Sequence, residues 1–188
     1  MWRILFIISV IPIAAALIAR WFFGVRVLAQ EGERLCRCDL ATWMPAPDDA
    51  AVIHRADGTA AEFGHQLRLK ALDGWRKQDP KAVAARENAR RFGMAVPPLC
   101  GIVAVFAVFV AKIPVMGGIA VLLGATALSA AIGILSLPNE LAAIHRAAKK
   151  IREAKSFPKR DDEDAVIRCA VAQAWKQTLP PILSLLHR

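Results

Sequence analysis

The chain has 188 residues, 56% of them hydrophobic, and 25 Lys and Arg against 16 Asp and Glu give a formal net charge of +9. The apolar residues lie in long blocks, which excludes the dispersed pattern of an ordinary soluble domain. In such a chain positive charge reports membrane topology before nucleic acid, and aromatics do not interleave the basic runs as single-strand binding requires, so no nucleic-acid partner is expected.

The first block, Ile4 to Ala19 followed by Arg20 and the aromatic run Trp21-Phe22-Phe23, is long enough to cross a ~30 Å hydrocarbon core. Residues 1–23 are read as a transmembrane helix. Val27-Leu28-Ala29-Gln30 faintly resembles a signal-peptidase site, but Arg20 and Arg26 put positive charge after the apolar run, where a cleaved leader prefers neutral residues. Residues 24–93 form a polar segment, in which residues 46–58 read as loop or short hairpin. Cys36-Arg37-Cys38 has no second Cys or His pair at zinc-site spacing, so Cys36, Cys38, Cys100 and Cys169 read as unpaired thiols.

The second block, residues 94–137, is divided by Lys112-Ile113-Pro114 into two spans, giving a hairpin with a very short turn. Gly117, Gly118, Gly124, Ala125, Ser129 and Gly133 supply small residues where helices approach closely. Residues 138–164 are basic (Arg146, Lys149, Lys150, Arg152, Lys155, Lys159, Arg160) and then acidic (Asp161 to Asp164), reading as a solvated linker and the acidic start of a helix. Residues 165–188 place Arg168, Gln173, Lys176, Gln177 and His187 on one half of a helical wheel and Ile167, Val171, Trp175, Ile182 and Leu186 on the other. That pattern fits a polar-faced fourth span or an interfacial helix, bent by Pro180-Pro181. The fold class expected is an all-α membrane protein with 3–4 transmembrane helices. The positive-inside rule puts the N-terminus and hairpin turn outside and residues 24–93 and 138–164 in the cytoplasm, in a bacterial inner (plasma) membrane.

One short stretch carries chemistry. Ala61-Glu62-Phe63-Gly64-His65 differs by one residue from HExxH, in which two histidines one helical turn apart hold zinc and the Glu activates the bound water. The first histidine is missing. Downstream, just past the third span, Glu140 is a carboxylate at the membrane edge, costly there unless paired, hydrated or metal-bound.

With Glu62 and His65 before the hairpin, and Leu137, Pro138, Glu140, Ala143, Arg146 and Ala147 after it in the pattern L-P-x-E-x-x-A-x-x-R-A, the chain resembles the bacterial membrane-bound neutral zinc metallopeptidases of the YugP type. The resemblance covers residues 61–188 and, loosely, the first span. It implies a gluzincin-like arrangement, with Glu62 in the general-base position and His65 and Glu140 in two metal-ligand positions. Ala61 stands where that family carries its first zinc histidine, so zinc is doubtful as a cofactor and the resemblance implies the fold rather than the reaction. His54 is the best substitute for the missing ligand; His145 and His187 read as headgroup-facing and solvated.

Three functions follow as expectations. The first is a catalytically inactive, peptidase-like membrane scaffold or binding partner. The second is an active zinc peptidase with a substituted first ligand. The third is an unrelated helical bundle whose basic segments bind lipid headgroups or a partner protein. In each the bilayer is a partner, and a membrane-protein partner or a homo-oligomer is expected with it.

Overall fold

The computed structural model describes residues 2–39, 42–43, 56–110 and 112–178. The chain starts with α1 (Trp2–Arg20), passes through a single wide turn of π-helix (Trp21–Val25) and continues as α2 (Arg26–Glu31). A two-stranded antiparallel ribbon, β1 (Leu35–Arg37) and β2 (Asp57–Thr59), pairs Cys36 with Gly58. It adds a small β element to the expected all-α fold. Then come α3 (Ala60–Gln78), α4 (Pro80–Phe109), α5 (Val115–Leu135), α6 (Leu137–Ala154) and α7 (Arg160–Lys176).

Three helical stretches are long and apolar enough to cross a membrane: Phe6–Glu31, Pro80–Phe109 and Val115–Ala154, the last comprising α5 and α6 with Ser136 between them. The hairpin break falls at Lys112 to Pro114, as the sequence requires. The first run is longer than expected, since the helix passes Phe23 and ends at Glu31. A π turn absorbs the aromatic cluster there. Gly24 lies so close to α7 that an added Cβ would stand 3.3 Å from the Ala172 carbonyl oxygen and the Lys176 nitrogen.

The residues divide into two compact units. The first comprises Met1–Arg20, Ala85–Ser136 and Gln177–Arg188. Its core is made of small side chains: Ile13 and Ala16 of α1 meet Ala127 and Ala130 of α5, flanked by Leu17, Leu123 and Ile134. Gly118 of α5 faces α4, where a Cβ would come 3.0 Å from Val108. Outward, Ile7, Ile11, Leu99, Ile102, Phe106, Phe109 and Leu135 are 60–82% exposed. A surface this apolar suits hydrocarbon rather than water. Arg86 donates to the Gly133 carbonyl (2.8 Å), to Ser136 Oγ (2.6 Å) and to Thr178 Oγ1 (3.3 Å), joining α4 to the end of α5 and the turn after α7.

The second unit comprises Trp21–Ala84 and Leu137–Lys176. Its α3 starts with a capping box: Thr59 Oγ1 accepts from Glu62 N and the Glu62 carboxylate accepts from Thr59 N. Phe63, Leu67, Ala71 and Trp75 recur every four residues along one face of α3. They are buried against Ala143, Ile144, Ala148 and Ile151 of α6 and Val166, Cys169 and Ala170 of α7. Each large side chain so removed from water contributes about 1.5–3 kcal/mol. Trp43, Phe63 and Phe157 meet edge-to-face with centroids 5.4 to 5.7 Å apart, fixing the turn between α6 and α7 onto α3. Lys155, at φ 51°, ends α6 in the left-handed region.

Two expectations change here. The acidic block does start α7, but Asp162 and Glu163 are buried rather than solvated. Arg34 Nη2 lies 2.8 Å from Asp162, and Arg152 reaches Glu163 at 2.7 Å and Asp164 at 2.6 Å. The apolar side of α7, Ile167, Val171 and Trp175, packs into this core instead of facing lipid. Among the described residues the candidate spans number three and α7 is not one of them; residues 179–188 lie outside the described residues.

Candidate functional site

The residues of the near-motif lie on the first turns of α3. Ala61 presents a methyl group in the first-ligand position, and its carbonyl accepts from Gln173 Nε2 of α7 at 2.8 Å. Glu62 is exposed, and its Oε2 takes the Thr59 amide at 2.8 Å as one half of the capping box. His65, one turn on, is also exposed and has its Nδ1 3.3 Å from Gln173 Oε1. Gln173 therefore bridges the two ligand positions of the motif with its single amide group.

Glu140, in the first turn of α6, is 1% exposed. Its Oε1 accepts from Arg68 Nε at 2.6 Å and lies 2.6 Å from Arg68 Nη2, so the guanidinium closes on one carboxylate oxygen with two N–H groups. Arg68 is itself buried and stands three residues after His65 on α3. The same helix thus directs Arg68 to α6 and His65 to α7. The structure joins Glu140 to the motif helix, but through an arginine.

Among the described residues the donor set does not fit zinc. Tetrahedral zinc takes at least three protein ligands, free of competing cations. Among the described residues no three His, Cys, Asp or Glu side chains converge on one point. A guanidinium already occupies one Glu140 carboxylate oxygen, and its charge opposes a second cation there. His54 lies outside the described residues, as does His187, while His145 is exposed on α6.

The C-x-C pair is equally unprepared for a metal. Cys36, Cys38 and Cys169 are buried thiols outside any disulfide. Burial, and after it the charge of Asp162, pushes the Cys36 thiol up to about 11; burial and then Glu31 push Cys169 up to about 11. Cys38 is raised as well, chiefly by burial. Thiols held so strongly in the neutral form are poor ligands and poor nucleophiles at neutral pH.

Reading residue types left two partners unseen, Arg68 and Gln173. A signal for Arg68 was present: it follows Leu67 directly in the stripe that buries Phe63 and Ala71, where a charge is costly unless an acid meets it. Gln173 carried no such signal, because a glutamine on a polar helix face is ordinary. No family model, curated protein or solved structure matches the chain.

Proposed function

We propose that this chain is a multi-pass protein of the bacterial inner membrane whose second unit, on the cytoplasmic side, is a non-catalytic scaffold or docking module for another membrane protein. Three apolar helices supply the anchor. The excess of Lys and Arg after the first span, before the second and after the third supports the orientation. In this reading the α3–hairpin–α6 order is the frame of a YugP-type peptidase from which the metal centre has gone.

The observation that carries the reading is the Arg68–Glu140 pair. Among the described residues Glu140 is the one candidate ligand that is fully buried, and its charge is already neutralised by a side chain of the motif helix. Glu62, the would-be base, caps its own helix, and His65 is tied to Gln173. All three side chains are accounted for by stabilising contacts.

The test is metal content and turnover of the full chain purified in mild detergent without chelators. Zinc well below stoichiometric, unchanged by His65→Ala, and no cleavage of casein or membrane peptides are the expected results. Stoichiometric zinc that His65→Ala abolishes, or turnover that Glu62→Gln abolishes, would overturn the reading.

A further inference from the structure

Between α3 and α6, within the second unit, lies an open cleft of about 640 Å³, inside the size range of small-ligand sites. Its floor is apolar, formed by Ala71, Trp75, Ala143, Ala147 and Ile151. Its charged groups are Lys70, Asp73 and Lys77 from α3 and Arg146, Lys149, Lys150 and Glu153 from α6. The two acids are engaged: Asp73 pairs with Lys77 at 2.8 Å and Glu153 with Lys149 at 4.0 Å. That leaves Lys70, Arg146 and Lys150 facing the cleft with no acid paired to them among the described residues.

Lys70 is held over the Trp43 ring, its Nζ 5.9 Å from the centroid, and is half-buried. Burial, and then the like charge of Lys150, lowers its pKa. Two cations kept close without a counter-charge raise the free energy of the empty cleft, and an anion between them relieves it. A second observation comes from the wall. Ser156 is 1% exposed, lines the cleft, and its hydroxyl has no hydrogen-bond partner in the structure. A buried hydroxyl without a partner is costly, and a ligand oxygen would satisfy it once a rotation of the side chain turned it to the cleft.

We propose that this cleft binds a phosphate monoester, carried either by a small soluble molecule or by a lipid headgroup. Three unpaired cations match a dianionic group better than a single carboxylate. Arg146 supplies the planar fork that suits phosphate, and Lys70 and Lys150 supply point charges from opposite walls. Ser156 provides a hydroxyl to one ester oxygen, and the apolar floor accommodates the carbon skeleton. The inference is independent of whether zinc binds, and its failure would leave the non-catalytic reading untouched.

The test uses the full chain in phosphatidylcholine nanodiscs. Glycerol 3-phosphate and inorganic phosphate are titrated by calorimetry in one arm. In the other, nanodiscs doped with phosphatidic acid are compared with nanodiscs carrying the same charge as phosphatidylglycerol, a diester. Saturable binding in the first arm identifies a soluble ligand; preference for phosphatidic acid in the second identifies a headgroup; either supports the proposal. Lys70→Gln and Lys150→Gln should each weaken binding about tenfold, as expected for a charge-assisted contact to phosphate. Lys159→Gln, outside the cleft, should leave it within about twofold. Ser156→Ala, which removes an unsatisfied hydroxyl, should weaken binding while thermal stability stays the same or rises. No binding of any probe, or equal losses in the Lys70 and Lys159 variants, overturns it.

Discussion

Replacing Arg68 by Met removes the guanidinium from Glu140 while keeping side-chain length and apolar packing. The carboxylate it leaves is 1% exposed, and Arg68 itself is 8% exposed at the side chain, so water does not screen the pair. Removing one partner of such a pair costs about 3–5 kcal/mol, a large share of the ~5–15 kcal/mol that holds a domain together. Arg68→Met should therefore lower the thermal midpoint of the full chain in detergent, followed by circular dichroism, by roughly 10 °C. Glu140→Leu should cost a comparable amount, because it leaves the arginine buried and alone. The double variant Arg68→Met/Glu140→Leu replaces the pair with apolar groups and should recover most of the loss, so that the two single losses fall far short of adding. Arg68→Met with wild-type stability, or two losses that simply add, would refute the assignment of Glu140 to a structural pair. It would also return that carboxylate to the list of free ligands.

Gly64→Ala should destabilise the second unit by about 1–3 kcal/mol, because its Cβ would stand 2.8 Å from Cys169 Cβ and 2.9 Å from the Ala170 nitrogen; a melt unchanged from wild type would contradict the close approach of α3 and α7. Thr59→Ala, which opens the capping box, should cost about 0.5–2 kcal/mol by the same assay. The neutral thiols set a pH dependence. A thiol at 9.0 when unfolded and at about 11 when folded adds stability that is complete below pH 9 and is lost as pH rises through 11. The fall in stability over that interval should be shallower in Cys36→Ala/Cys169→Ala than in wild type, with parallel curves as the contrary result. In the native chain at pH 8 both thiols should resist maleimide until denaturant is added, since only about 0.1% is thiolate and both are covered.

The spans were legible because hydrocarbon imposes a length, and Lys112 to Pro114 interrupts that length visibly. The end of the first helix was not, because its continuation to Glu31 depends on Gly24 seating against α7, a contact between residues about 150 positions apart. Along α7 the wheel set Ile167, Val171 and Trp175 on the side that packs inward, yet periodicity states that a face must be covered and is silent on whether lipid or α3 covers it. Glu140 showed the same limit. Its position demanded a partner, and a metal answered that demand as well as an arginine 72 residues away on another helix. Asp162 and Glu163 read as a helix start, and only the fold brings Arg34 and Arg152 to them.

The second unit is split in the chain: residues 21–84 precede the hairpin and residues 137–176 follow it. This has a consequence for synthesis. Once α3 leaves the ribosome, its stripe of Phe63, Leu67, Ala71 and Trp75 waits for α6 and α7, the last of which ends about 100 residues later. At ~5–20 residues per second that is an interval on the order of ten seconds, during which the hairpin is itself being inserted. A nascent chain stalled in that interval leaves the Phe63–Trp75 stripe uncovered, so completion of this unit waits on synthesis of everything up to the end of α7.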